Sequence, residues 1–165
     1  MLGKILASIL FTACVCTPST AFAQEQGYVL GSLGIAGCCG YFEPISEIGA
    51  GWEGLIKNRF GIGTEFSRLA PLEELEYGIF LWSISGTAHL TPKVRSPRTR
   101  PFITGGVTFA LADGLYPLAT FGGGVERWFG DRVGFRFEAR DSTDAQGHLL
   151  AARFGLVFRG RSTRP

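Results

Sequence analysis

The sequence predicts an all-β fold, an eight-stranded antiparallel up-and-down transmembrane β-barrel. Three observations predict it. Apolar residues recur at every second position through most of the chain, the period of a strand with two unlike faces. No apolar i, i+3, i+4 window with a cap, no heptad and no internal repeat competes with that period. Glycine is abundant, 24 of 165 residues, and falls largely on the polar side of the alternation.

Taken in order, the first segment, about 27–37, sets Val29, Leu33 and Ile35 against Ser32 and Gly34. The second, about 46–56, alternates Ile48, Ala50, Trp52 and Ile56 with Glu47, Gly49, Gly51 and Glu53. In the third, about 60–69, Phe60, Ile62 and Phe66 oppose Gly61, Gly63 and Glu65. The fourth, about 76–91, carries Phe80, Trp82, Ile84 and Leu90 on one side and Ser83, Ser85 and Thr87 on the other. Ile103, Val107 and Phe109 alternate with Thr104, Gly106 and Thr108 in the fifth, about 100–111. The sixth, about 117–128, places Ala119, Phe121 and Val125 against Gly122, Gly124 and Glu126. The seventh, about 132–141, reads VGFRFEAR, with Val133, Phe135 and Phe137 opposite Gly134, Arg136, Glu138 and Arg140. The last, about 148–159, sets Leu150, Phe154, Leu156 and Phe158 against Arg153 and Gly155. "KNRFG" and "FGDR" read as tight turns, and "TPKVRSPRTRP" as a longer one. "CCGYFEPI", "APLEEL", "ADGLYP" and "STDAQG" join the strands at the other end.

Such a sheet closes in one of two senses. A soluble barrel packs the apolar face inside, as in a lipocalin-like secreted carrier of a small apolar ligand. A membrane barrel turns that face to lipid and its polar face to the lumen, and in lipid the backbone must be fully paired, so closure is obligatory. The second sense is favoured. Glycine weakens a strand and gives a solvated face nothing, whereas the lumen of eight strands is just wide enough for side chains to fill. After the first segment of the chain lysine occurs only at Lys57 and Lys93, both in turns, and the strand cations are arginines, which suit forked pairing with buried carboxylates. Glu47, Glu53, Glu65, Glu126 and Glu138 stand on the same face as Arg136, Arg140, Arg153 and Arg159, a near balance suited to a confined interior. An arginine facing mid-bilayer costs roughly 2–4 kcal/mol, so three or four in the wrong sense would cancel a typical stability of about 5–15 kcal/mol. The expected lipid-facing set therefore includes Phe66, Phe80, Phe109, Phe135, Phe137, Phe154 and Phe158. Eight strands of ~9–11 residues need about 70–90 residues, which the chain supplies together with short connections.

Residues 1–23 have the character of a secretory signal: Lys4, an apolar run from Ile5 to Val15, and Ala21-Phe22-Ala23 before Gln24. The run is short of the ~18 residues of a membrane-spanning helix. Processing as a lipoprotein at Cys14 is the weaker alternative. The expected barrel domain is then 24–165, with 142 residues and a net charge of +1 instead of +2. No basic patch supports nucleic-acid binding. Of four cysteines only the adjacent Cys38 and Cys39 lie beyond the leader, and they make neither a disulfide framework nor a zinc spacing. Either a strained vicinal disulfide or two ordinary thiols fits them.

The hairpin "FGGGVERWFGDRVGFRFEAR" and the final strand "HLLAARFGLVFR" resemble small bacterial outer-membrane β-barrels of the OmpA/OmpX type, over about residues 27–159. The resemblance implies localisation in the cell outer membrane, both termini in the periplasm, insertion by the barrel-assembly machinery, outer-membrane lipid as the surrounding partner, and a plugged polar core. Carried onto this chain, Glu53, Glu65, Glu126, Arg136, Glu138, Arg140 and Arg153 would form that core network. Family chains often end on an aromatic residue, whereas here Phe158 is followed by Arg159 to Pro165.

Chemistry beyond the barrel is sparse. His89, with Thr87 or Ser85 on its face, is the one candidate base–nucleophile pair for a lipid-modifying enzyme. Hydroxyls lining a lumen explain it better, and no enzyme activity is expected. "DSTDAQG" misses the spacing of a calcium loop, and "FGGGVE" precedes no helix, so neither a metal nor a cofactor is expected. The expected role is structural or surface contact through a barrel that is not an open porin.

Overall fold

The computed structural model describes residues 24–38, 41–56, 59–90, 98–144 and 146–160. Eight strands follow in chain order: β1 Gln24–Cys38, β2 Tyr41–Ile56, β3 Phe60–Pro71, β4 Ile79–His89, β5 Thr99–Leu111, β6 Leu115–Trp128, β7 Val133–Thr143 and β8 Gly147–Arg159. Each pairs antiparallel with its chain neighbours, and β1 pairs with β8 from Gln26↔Arg159 to Cys38↔Gly147, which closes the barrel. Among the described residues there is no helix. The shortest strands, β4 and β7, have 11 residues each, enough for a tilted strand to cross a bilayer core of about 30 Å.

The alternation sorts the two faces as the sequence predicts. On β7, Gly134, Arg136, Glu138 and Arg140 are buried while Val133, Phe135, Phe137 and Ala139 are exposed. The outer surface is a continuous belt of apolar side chains, among them Val29, Ile48, Ile62, Phe66, Phe80, Ile103, Phe121, Phe137, Phe154 and Phe158. Phe109 also points outward but is half-buried, because the neighbouring Trp82 ring covers it at 5.5 Å between centroids. Phe66 stacks on the other side of Trp82 at 5.9 Å, so a row of three rings crosses β3, β4 and β5. The polar atom in this row is not stranded: Trp82 Nε1 donates to Thr64 Oγ1 at 2.9 Å.

Seven strands begin or end beyond the predicted bounds, and β4 is shorter than predicted, Ile79–His89 against about 76–91. Tyr41–Pro44 and Leu115–Pro117 read as connecting segments in the sequence but extend β2 and β6, and β7 and β3 run on to Thr143 and Pro71. The prolines are tolerated because they sit where a neighbouring ladder has run out. The β2–β3 register stops at Ile45↔Pro71 and the β6–β7 register starts at Ala119↔Thr143, so Pro44 and Pro117 lie past those ladders.

The interior accepts its long side chains because glycine faces them. A Cβ on Gly61 would overlap Glu53 Oε1, and one on Gly51 would press into the Tyr28 ring, with Tyr28 Cε2 2.7 Å away.

Candidate functional site

The site is the lumen itself, built from one side chain in two on every strand. It is stratified along the barrel axis. At the end near Gln24 and Arg159, Gln26 of β1, Glu53 of β2, His89 of β4 and Glu126 of β6 converge, all buried. Gln26 Nε2 donates to Glu53 Oε2 at 2.8 Å and to Glu126 Oε1 at 3.0 Å. His89 Nε2 lies 3.1 Å from Glu53 Oε1.

Above this level sit three guanidiniums. Arg136 Nη1 donates to Glu126 Oε1 at 3.0 Å, and its Nε to Glu138 Oε2 at 3.2 Å. Its Cζ lies 4.0 Å from the centre of the Phe102 ring and 5.0 Å from that of Tyr28, so the faces of two aromatic rings supply part of its environment. Arg140 Nε donates to Glu138 Oε1 at 2.6 Å and its Nη1 to Glu65 Oε1 at 3.2 Å. Arg153 Nη2 donates to Glu65 Oε1 and, at 3.3 Å, to Glu47 Oε1. Ser32 Oγ donates to the other oxygen of Glu47 at 3.1 Å. Gln26↔Glu53, Ser32↔Glu47, Glu126↔Arg136 and Glu138↔Arg153 are direct cross-strand neighbours, and Arg136, Glu138 and Arg140 take every second position of β7, so the pleat alone brings them to one face. The remaining contacts join strands that are not paired in the sheet.

Beyond the ions, four hydroxyls on successive strands form an arc: Ser83 to Thr108 at 2.7 Å, Thr108 to Thr120 at 2.8 Å, and Thr120 to Ser142 at 3.0 Å. Two of the interior cavities have volumes of about 10 Å³ each, one beside Tyr28, Arg136 and Glu138, the other beside Glu47, Thr108 and Arg140. A space of that size holds about one water molecule.

All seven residues expected in the core network, Glu53, Glu65, Glu126, Arg136, Glu138, Arg140 and Arg153, are placed in this lumen, each at most 6 % exposed. Glu47 joins them through Arg153. Arg159, on the same face, stands at the mouth instead, its Cζ 3.9 Å from the Trp128 ring centre. The alternation did not single out Gln26 or His89 as network members. It also did not foresee the apolar inward positions Tyr28, Leu30, Trp128 and Val157, which cluster near the Arg159 end. His148, the second histidine, is outside the lumen, with Nδ1 3.0 Å from Asp141 Oδ2. In the connection that follows β7, the backbone N–H groups of Gln146 and Gly147 both donate to Asp144 Oδ1 at 2.8 Å and hold its carboxyl below the usual carboxylate range. Cys39 and the side chain of Cys38, the turn lysines Lys57 and Lys93, and the expected leader 1–23 lie outside the described residues.

With this architecture in view, comparison with solved structures is direct. The N-terminal β-barrel domain of OprF from Pseudomonas aeruginosa superposes with a TM-score of 0.63 at 11 % identity, over 84 % of this chain and 98 % of that one. The attachment invasion locus protein Ail of Yersinia pestis gives 0.62 at 9 % identity, over 84 % and 99 %. This chain has the fold of the small outer-membrane barrels. A de novo designed transmembrane β-barrel shares that fold to the same degree, 0.62 at 12 % identity over 84 % and 97 %, so the small-barrel fold by itself carries no particular activity. No protein-family model and no curated protein sequence matches the chain.

Proposed function

We propose that this chain is an integral outer-membrane β-barrel protein, exported by a cleaved leader at 1–23 and inserted by the barrel-assembly machinery. It acts as a structural or surface-contact element whose lumen is closed by the Arg/Glu network. One observation carries this reading: large apolar side chains such as Phe137 and Phe154 are each 55 % exposed on the outside, while eight glutamates and arginines are buried within. A surface of that extent is unstable in water and stable against acyl chains. The likeness to OprF and Ail supports the same location.

A lipocalin-like carrier is disfavoured by the interior. Apolar ligands occupy pockets of about 300–1,000 Å³, and this lumen is occupied by ion pairs with cavities near 10 Å³ among them. An enzymatic reading centred on His89 is disfavoured as well. Its Nε2 is committed to Glu53 and its Nδ1 has no hydrogen-bond partner, so neither nitrogen reaches the hydroxyl of Thr87 or Ser85.

Fractionation tests the proposal. The protein should be recovered from the detergent-extracted outer-membrane fraction and migrate faster on gels unheated than boiled. Recovery from the aqueous periplasm, with no change of migration on heating, would overturn it.

A further inference from the structure

We propose that His89 and Glu126, with Glu53 orienting the imidazole, form a binding site for a divalent cation of the zinc class at the Arg159 end of the lumen. The site goes beyond the role proposed above and holds whatever surrounds the barrel. It rests on atoms that the lumen network leaves unsatisfied. The Glu53 carboxylate only accepts hydrogen bonds, so the contact between His89 Nε2 and Glu53 Oε1 at 3.1 Å places a ring proton on Nε2. In the neutral ring Nδ1 then presents a lone pair. It faces Glu126 Oε2 at 3.9 Å, too far for a hydrogen bond, and neither atom has a hydrogen-bond partner. The two side chains are 1 % and 0 % exposed. Two acceptors opposed in a buried space are costly, and a cation between them removes the cost.

The surrounding geometry suits such an ion. One ligand atom from each of Glu53, His89 and Glu126 can be chosen so that all lie within 4.8 Å of one another. A metal held at about 2.0–2.2 Å from nitrogen and oxygen ligands fits between Nδ1 and Glu126 Oε2 with small rotations of those two side chains. Glu53 stands behind the imidazole: its Oε1 holds Nε2–H and so fixes the tautomer that frees Nδ1, the carboxylate–histidine arrangement that tunes metal-bound imidazoles. Gln26 ties both carboxylates together through Nε2, and its Oε1 is a further buried acceptor with no partner. Charge agrees. Five buried carboxylates, Glu47, Glu53, Glu65, Glu126 and Glu138, face three buried guanidiniums, Arg136, Arg140 and Arg153. Arg100 and Arg159 add positive charge at the adjoining mouth, where both are half-buried, but neither hydrogen-bonds Nδ1 or Oε2. One imidazole with a carboxylate and no thiolate selects a borderline dication. Calcium, which takes 6–8 oxygens, is not accommodated.

The three residues sit on β2, β4 and β6, so no local spacing announces them and the site exists only once the barrel has closed. The test is therefore made on refolding. The chain is unfolded with chelator, refolded in detergent with or without zinc chloride, and dialysed; bound zinc is measured by mass spectrometry and the unfolding temperature by heat-modifiable migration. One zinc retained per chain is expected, with a rise in unfolding temperature of roughly 5–10 °C at a hundredfold excess over Kd. Glu126→Gln, which keeps the side-chain volume, should lose the zinc, and His148→Gln, at the exposed histidine, should keep it. No retained zinc in the wild type, or equal retention in a folded Glu126→Gln, overturns the site. Should the variant not fold, the wild type still decides through the ¹⁵N resonances of His89. A zinc-dependent shift of Nδ1 supports the site, and an imidazolium unaffected by zinc ends it.

Discussion

Glu138 accepts from two guanidiniums at once, Arg140 Nε at 2.6 Å and Arg136 Nε at 3.2 Å, and Arg153 Nη1 lies 3.6 Å away. Removing it leaves buried cations without their shared counter-ion. Breaking one partner out of a buried pair costs about 3–5 kcal/mol, so Glu138→Leu should lower the unfolding free energy of the detergent-folded barrel by that amount, read as a lower urea midpoint. A midpoint equal to the wild type would show that the network contributes nothing to stability. The charged members of the lumen were legible residue by residue, because each breaks an apolar alternation at a position of fixed parity. Glu126 and Arg136 even lie in one hairpin and pair directly across it. Gln26 and His89 were not legible as partners. A lone amide or imidazole on a polar face leaves no mark in the sequence. Gln26 meets Glu53 directly across β1 and β2, but the contacts of Gln26 with Glu126 and of His89 with Glu53 join strands that are not paired.

At the scale of the strand, β7 shows how one element serves two environments. Its outward Phe137 pairs with Val125 of β6 and Phe154 of β8, all part of the apolar belt. Phe137→Arg, near the middle of the strand, should cost roughly 2–4 kcal/mol when folding is measured in phospholipid vesicles. If water bathed this face, an exposed substitution would change stability within about 0.5 kcal/mol, and that result would reverse the assignment of the two faces. Strand existence was legible from period alone, while strand ends were not. Tyr41–Pro44 and Leu115–Pro117 carry turn-forming residues and read as loops, but the hairpins extend past the ladders of their outer neighbours, where a missing proline N–H has no partner to lose.

At the scale of the molecule, closure and eversion are linked. The first removes every unpaired sheet edge, as a lipid environment demands, and the second leaves the ionic groups nowhere but inside. Both could be argued from counts in the sequence: enough residues for eight crossings, arginine without lysine in the strands, and glycine beside the long side chains. The solved barrels that share the fold at 9–12 % identity make the same point, since a pattern is preserved where residues are not. If the ion pairs close the lumen, the purified protein in a planar bilayer should carry no steady ionic current, and a sustained open level in the range of a water-filled porin would refute the closed interior. The layered arrangement of the lumen could not be read beforehand, because the height of each side chain depends on the stagger between strands.

The arc from Ser83 through Thr108 and Thr120 to Ser142 has a property that the ion pairs lack. Each of its contacts can be donated from either side, so the whole row can run clockwise or anticlockwise with no heavy atom displaced. Its dipole is reversible, and it gives an otherwise rigid interior one component that can reorient in response to a field.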